Sequence, residues 1–363
     1  MTKINWLSAA FAKLSPKPAK AQVTDSLSGT NKLSSTRRST SERLAASFKQ
    51  PNEAMSPRLL RRSLNVMQAV IEPSISEIEG GRRAEQLAAI YALSTRERKL
   101  DFWRLMSEQF GIDKTRAELE RLRYEASFGT GDELAAEVRY RRSTVSPRRR
   151  LLQRFANFPQ GLQFLIEMRA ELQLALKTER QLAALDLELE YMLSTWCDIS
   201  FLELHAINWD SPASLIERLI KYEAVHDIRS WSDVKKRLES DRRCYGFFHP
   251  RMPGIPLIFI EVALMNAIPV SITPVIDEER SLEDQKSATV AVFYSISNTQ
   301  PGLRGIPFGD SLIKRVVEEL SLDFPRLKTF VTLSPIPSYR QWLGKHIDDL
   351  WSLIDTKLSL IHI

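Results

Sequence analysis

Residues 290–338 read VAVFYSISNTQPGLRGIPFGDSLIKRVVEELSLDFPRLKTFVTLSPIPS, and the order of residue types in this stretch decides the architecture. Residues 290–297 are dense in β-branched and aromatic side chains, which predicts a buried strand. Gly302, Gly305 and Gly309 punctuate the loop that follows. Leu312, Ile313, Val316, Val317 and Leu320 recur at helical spacing and predict an amphipathic helix. Residues 328–333 predict a second strand, which delivers Ser334 to a Pro-Ile-Pro segment. Strand, helix and strand in this order make a parallel βαβ unit. Such a unit can set an anion at the start of its helix, where free N–H groups and the helix dipole favour negative charge.

Two places in this unit can carry chemistry. In the loop from Arg304 to Asp310, Gly305 and Gly309 let the backbone approach a phosphate, while Pro307 removes a donor and Asp310 would cap the helix but repel the anion. On its residues alone the loop is equally a plain strand-to-helix turn. Ser334 sits on backbone stiffened by Pro335 and Pro337, which suits a hydroxyl that must stay still. Read without context it is also a turn serine bonded to its own backbone.

The rest of the chain divides by composition. The sequence has 363 residues, 43% apolar and 26% charged, with a formal net charge of +6. Residues 1–62 hold twelve Lys or Arg against three Asp or Glu, so the basic balance lies in this segment and the remainder is slightly acidic. Residues 1–72 are expected to form a basic disordered leader, because the Ser/Thr-rich opening has too little apolar surface to order itself. Trp6 to Leu14 could form a short basic amphipathic turn, so a mitochondrial transit peptide stands as the alternative to a cytoplasmic leader. No apolar run approaches the roughly twenty residues of a membrane span, and no nucleic-acid partner is expected of the acidic folded part. The arginines at 139, 141, 142, 148, 149, 150 and 154 read as a solvated cluster before they read as an anion site. Cys197 and Cys244 cannot form a disulfide framework, and none of the five histidines has metal-ligand spacing, so no metal is expected.

From residue 73 to about 205 the pattern is helical nearly throughout and describes a bundle. Gly80-Gly81 is expected to break it early, Thr95 and Asp113 to cap helices, and 158–161 to turn. Apolar rows run along 162–176 and 182–195. Further on, Asp210 or Ser211 followed by Pro212 predicts a helix start, and 231–238 another helix. Strands are predicted at 245–249 and 256–264, with a third at 269–272. The fold class is α+β: an all-helical bundle over 73–205, then a mixed sheet with helices against it over 206–363.

Several strings resemble the malonyl-CoA decarboxylase family: Phe293-Tyr-Ser-Ile-Ser297, Gly302-Leu-Arg-Gly305, Leu312-Ile-Lys-Arg-Val-Val317 and Leu333-Ser-Pro-Ile-Pro337. Trp209-Asp-Ser-Pro212, Glu223-Ala-Val-His226 and Arg242-Arg-Cys-Tyr245 precede them in family order, as does the helix beginning Phe164-Leu-Ile-Glu-Met. The resemblance implies an acetyltransferase-like sheet domain and conversion of malonyl-CoA to acetyl-CoA and CO2 in fatty-acid and malonate metabolism, without a cofactor. It makes Ser334 the active-site serine. It makes Arg304, Gly305, Ile306, Pro307, Phe308, Gly309 and Asp310, with Ser334, the residues that bind malonyl-CoA. It also implies a homo-oligomer assembled through the helical domain. In that family the proton-donating histidine lies in the C-terminal part of the catalytic domain and is followed by an Asn-Pro-x-Ala-x-Phe-His stretch, which does not occur in residues 1–363. The resemblance therefore implies a C-terminally truncated member with an incomplete sheet. The alternative function is an inactive CoA-binding or oligomerisation fragment.

Overall fold

The computed structural model describes residues 38–223, 225–277, 284–306, 308, 311–334, 336 and 338–353. The helical part comprises α1 (Thr40–Ala45), α2 (Pro57–Val70), α3 (Glu77–Ala92), α4 (Arg96–Gln109), α5 (Lys114–Ala126), α6 (Glu133–Ser143), α7 (Pro147–Ala156), α8 (Gly161–Ala175) and α9 (Ala183–Trp196). Local chemistry sets many of its boundaries. Ser39, Ser56, Ser76, Thr95, Asp113 and Ser146 each accept a hydrogen bond from the backbone N–H three residues on. Pro57 and Pro147 open α2 and α7, where a missing N–H leaves nothing unpaired.

Four sequence expectations change here. Residues 38–72 are helical and packed, not part of a leader; the earlier leader residues lie outside the described ones. Arg43 on α1 is buried and donates to both oxygens of Asp101, at 2.6 and 2.7 Å, and to the Met55 carbonyl at 3.1 Å. A long-range ion pair thus orders a segment whose own composition is too polar to do so. Gly80 and Gly81 do not break a helix but lie inside α3, where they let α7 approach. A Cβ on Gly80 would stand 2.6 Å from Arg154 Nε. The helical reading that ran to about 205 fails at its end, where Glu203–Ile207 is an edge strand. Its alternate residues face water, so its burial is too sparse to read as a strand. Residues 269–272 form no strand and lead into a single helical turn, α12 (Thr273–Ile276), with Pro274 at its start.

The sheet is mixed, with order β1-β2-β3-β4-β5. Strands β1 (Glu203–Ile207), β2 (Arg242–Phe248), β3 (Pro256–Met265) and β4 (Val290–Asn298) pair antiparallel in turn, and β5 (Thr329–Thr332) lies parallel to β4. Helices α10 (Ala213–Tyr222) and α11 (Trp231–Arg237) link β1 to β2, and α13 (Ser311–Asp323) links β4 to β5. Alternation along β3 sends Ile258, Ile260, Val262 and Leu264 to the same core as Leu162, Leu165, Leu172, Leu189, Val316 and Leu320. Bundle, sheet face and α13 therefore bury one continuous core. The opposite face packs Cys244 and Phe259 under Ile216, Leu219 and Val234, and Ala263, Val290, Val292 and Tyr294 under α12. No helix among the described residues is long and apolar enough to cross a membrane.

The Arg43–Asp101 pair extends to Arg104, which donates to Asp101 at 3.0 Å and to Glu179. Burial raises the Asp101 pKa, but the Arg43 hydrogen bond and charge outweigh it and hold the group below its usual range. Removing one partner leaves a buried charge uncompensated. Arg43→Ala is expected to cost about 3–5 kcal/mol in urea unfolding at pH 7. The native pair's contribution is retained above pH ~4 and lost as acid protonates Asp101 through its lowered folded-state pKa.

Candidate functional site

The site begins with an irregularity in β4. Val262 pairs with Phe293 and Glu261 with Ser295, so one step on β3 faces two on β4 and Tyr294 is the extra residue. Parallel pairing with β5 stops at the same level: Phe293 opposes Thr332, and the Leu333 N–H bonds the Phe293 carbonyl at 2.8 Å. Beyond it β4 runs on to Asn298 while β5 has ended. The two strands part and leave the β5-facing edge of 294–298 outside the parallel ladder. In open α/β arrangements this opening at the carboxyl ends of parallel strands is where ligands enter.

Three sequence-selected features meet this end of the sheet. The loop after β4 passes through a short 3-10 turn, Pro301–Leu303, and reaches Arg304 and Gly305, both exposed. Gly305 has φ +86°, a conformation that disfavours any side chain. Ile306 is buried in the main core and Phe308 packs against it, so these two anchor the loop rather than line its open side. Pro307, Gly309 and Asp310 lie outside the described residues. Helix α13 starts at Ser311, bringing its N-terminal end to the same edge. Ser334, exposed, leaves β5 two residues beyond Thr332. Ser338 follows in left-handed conformation, φ 64°, and α14 (Tyr339–Leu353) begins. His346 on α14 bonds its own helix through Nδ1 to the Trp342 carbonyl at 2.9 Å and stacks on the Trp342 ring at 4.9 Å.

The opposite face of the bulge carries a polar cluster that sequence reading missed. Glu223, just past α10, accepts from Ser295 Oγ at 2.8 Å, from Ser297 Oγ at 3.1 Å and from the N–H groups of Val225 and His226. Next to it Glu261 is fully buried and accepts from Arg237 Nη1 at 2.8 Å; Arg237 also donates to Asp233 at 2.7 Å and to the His226 carbonyl. Burial pushes the Glu261 pKa up to about 8, against the attraction of Arg237 and with the repulsion of Glu223 and Asp233. A legible signal existed: serines at 295 and 297 repeat on one face of a strand otherwise apolar, and a glutamate interrupts β3.

The helical region reaches the loop through Arg169, also missed. It is 1% exposed in the apolar row of α8 and donates from Nη1 to the carbonyls of Gly302, at 2.8 Å, and Arg304, at 2.9 Å. A Cβ on Gly302 would lie 1.9 Å from the Ile166 carbonyl oxygen, so the loop touches α8 backbone to backbone. The remaining candidates are structural. His249 accepts the Arg251 N–H at Nδ1 and shares a hydrogen bond between Nε2 and the Trp196 carbonyl, and burial lowers its pKa. Cys197 and Cys244 are buried, and burial pushes the Cys197 thiol up to about 12. The arginine cluster disperses: Arg148 pairs with Glu188 at 2.6 Å, Arg154 with Glu77 at 2.5 Å and Arg141 with Glu137. Among the described residues no group of three or more His, Cys, Asp or Glu side chains could hold a metal ion.

Comparison with known proteins adds an independent line. The family model described as Malonyl-CoA decarboxylase C-terminal domain matches residues 200–358, and the one described as Malonyl-CoA decarboxylase N-terminal domain matches 110–197. Malonyl-CoA decarboxylase, mitochondrial, of Anser anser anser is 36% identical over 274 residues, covering 72% of this chain and 54% of that protein. Its counterpart in Rattus norvegicus is 39% identical over 216 residues, covering 58% of this chain and 44% of that protein. The chain spans about half the length of the curated relatives it matches. The crystal structure of malonyl-CoA decarboxylase from Rhodopseudomonas palustris superposes with a TM-score of 0.73 at 37% identity, covering 82% of this chain and 72% of that one. That from Agrobacterium vitis gives 0.73 at 38%, covering 81% and 70%.

The buried carboxyl behind the bulge has a measurable signature. With its folded-state pKa raised from 4.5 to about 8, Glu261 contributes stability that is present below pH 4.5 and lost as pH rises through 8. Arg237, Asp233, Glu223, Tyr294 and Cys244 surround it and stay in place in Glu261→Gln. That variant is expected to flatten the decline of the urea midpoint across this window. A decline as steep as in the parent chain counts against a proton held on Glu261.

Proposed function

Because the chain belongs to the malonyl-CoA decarboxylase family, we propose that it binds malonyl-CoA at the parted ends of β4 and β5 and releases CO2 from it. The observation that carries the reading is the coincidence, at one end of the sheet, of the β4–β5 opening, Arg304 and Gly305, the start of α13 and Ser334. The phosphates of the CoA moiety meet the loop and the helix start, where free N–H groups and the exposed Arg304 favour anions. The acyl group reaches Ser334. Decarboxylation breaks the bond between the malonyl carboxylate and Cα. The electron pair passes into the thioester as an enolate, and a proton then adds at Cα to give acetyl-CoA. The thioester carbonyl is itself the electron sink. The Ser334 hydroxyl donates a hydrogen bond where negative charge grows, which lowers the barrier more than it favours the ground state. His346, the histidine nearest Ser334 in sequence, is the candidate proton donor; its Nδ1 is engaged with its own helix, so a second reading, CoA binding without turnover, is kept for the same site.

The division into a helical and an acetyltransferase-like domain is supported by the meeting of the two family matches between 197 and 200, which sets the boundary before β1 and ahead of the expected 205/206. A homo-oligomer through the helical domain is supported by exposed apolar side chains on α5, α6 and their connection: Leu119, Leu122, Phe128, Leu134 and Val138. The cytoplasm is the proposed compartment, with the mitochondrial matrix as the alternative that the relatives' names raise.

Two measurements test these readings. CO2 release from malonyl-CoA by the 363-residue chain is expected to fall about 10²–10³-fold in Ser334→Ala, the loss typical of one transition-state donor. No release by the parent chain, with calorimetric binding of malonyl-CoA retained, selects the binding-only reading; neither signal rejects the site. Leu122→Asp with Leu134→Asp is expected to lower the sedimentation mass to that of one chain. An unchanged assembly moves the interface elsewhere.

A further inference from the structure

We propose that Arg169 is a positioning residue for the substrate loop: from α8 in the helical region it turns the loop's peptide groups so that the Gly305 N–H faces the incoming thioester. The inference rests on reading the Arg304–Asp310 loop as the malonyl-CoA loop. A guanidinium offers five N–H donors in a rigid plane. Arg169 commits them to four acceptors: Asp186 Oδ1 at 3.0 Å from Nε, Glu190 Oε2 at 2.6 Å from Nη2, and the carbonyls of Gly302 and Arg304 from Nη1. Asp186 and Glu190 stand one turn apart on α9, so two carboxylates fix the plane of the cation and offset the cost of burying it. The two loop carbonyls complete its shell.

The consequence lies in the peptide plane. In a trans peptide the C=O and the following N–H point in opposite directions. The Arg304 carbonyl points at Arg169, so the Gly305 N–H points away from the helical region, on the exposed side of the loop. The φ of +86° at Gly305 then bends the chain back toward buried Ile306. Close packing fixes the loop at Gly302, which admits no Cβ against Ile166. At Gly305 a Cβ would make only an ordinary contact, 3.6 Å from Glu190 Oε2, and it is the positive φ that calls for glycine. Arg169, Glu190 and the two glycines thus form one seat, built from the helical region, that presents a fixed backbone donor at the loop's tip. An oriented donor of this kind can bind a phosphate or thioester oxygen without reorganising as the ligand arrives.

Arg169→Lys tests this on the full chain. An ammonium is a point charge that cannot span both carbonyls and both carboxylates. The affinity for malonyl-CoA, read by calorimetry, is expected to fall about tenfold, the scale of one misdirected hydrogen bond. Amide hydrogen exchange across 302–306 is expected to quicken while β3 stays protected. A purely structural role predicts a lower melting temperature with unchanged affinity, and that result overturns the proposal. So does unchanged exchange in the loop. If Arg169→Lys does not fold, Glu190→Gln carries the test, since its side chain is 37% exposed. It loosens the hold on Nη2 and is expected to weaken binding by about two- to fivefold; parent affinity there overturns the proposal. A parent chain that does not bind malonyl-CoA rejects the loop reading, and this inference falls with it. A parent that binds, beside variants that bind equally well, rejects the inference alone.

Discussion

The guanidinium of Arg169, buried between two helices and a loop, is the interaction on which the arrangement of this protein depends. It is the point where the helical region touches the turn that opens the βαβ unit. A cation in that position is costly without partners, and its four partners come from two separate parts of the chain. Asp186 and Glu190 belong to α9, the carbonyls to the 301–304 turn. The same device recurs around the junction. Arg315 of α13 donates to the carbonyls of Ile199 and Leu202, at 3.1 and 2.7 Å. Arg251 after β2 donates to those of Ala156 and Phe158. Turn and helix-end carbonyls keep a lone pair for a further donor, as those of Ile199 and Phe158 do beside their backbone hydrogen bonds, and arginines from the other region fill it. The continuous apolar core supplies the bulk of the cohesion, but these pairings decide which way the two regions face.

The sheet carries a second constraint, at one residue. The extra Tyr294 in β4 does three things at once. It ends the region where β5 can follow, it turns Ser295 and Ser297 toward the outer face, and it brings the tyrosine ring within 6.4 Å of the His226 ring. Hydroxyls buried on a strand need acceptors, and Glu223 provides both. Glu261, opposite Ser295, is the consequence that is hardest to satisfy. With Arg237 shared between it and Asp233, the outer face has more carboxyl groups than cations, and burial shifts the balance toward a retained proton. The bulge at which β4 and β5 part is therefore held from behind by a polar cluster.

Much of this was legible in the residues. Near-continuous runs of aliphatic, β-branched and aromatic residues mark β3 and β4, because both faces of these strands are buried, and the 3.6-residue rows mark α8, α9 and α13, because burial on one side of a helix imposes that period. Ser39 and Ser56 cap helices as clearly as Thr95 does, yet α1 and α2 sit in a segment too polar for a composition argument to order. What orders them is Asp101, 58 residues from Arg43. Gly80 and Gly81 carried an ambiguous signal, since a glycine pair marks a break or a close approach, and only the presence of α7 selects the second. Strand β1 escaped because it lies at the sheet edge with most of its side chains in water.

The sequence by itself determined the class of the fold, the βαβ unit and the family, because each is written in local periodicity or in strings of adjacent residues. It also nominated Arg304, Gly305 and Ser334. It could not say that these three share an end of the sheet, since that follows from β5 lying parallel to β4 and ending four pairs along it. Nor could it say that an arginine in the apolar row of α8 reaches across 133 residues to the Gly302 carbonyl, or that a glutamate in β3 is left short of positive charge. Those are properties of distance and burial. They exist only when segments far apart in the chain exclude water together, which raises the strength of each polar contact and the cost of each one left unmade.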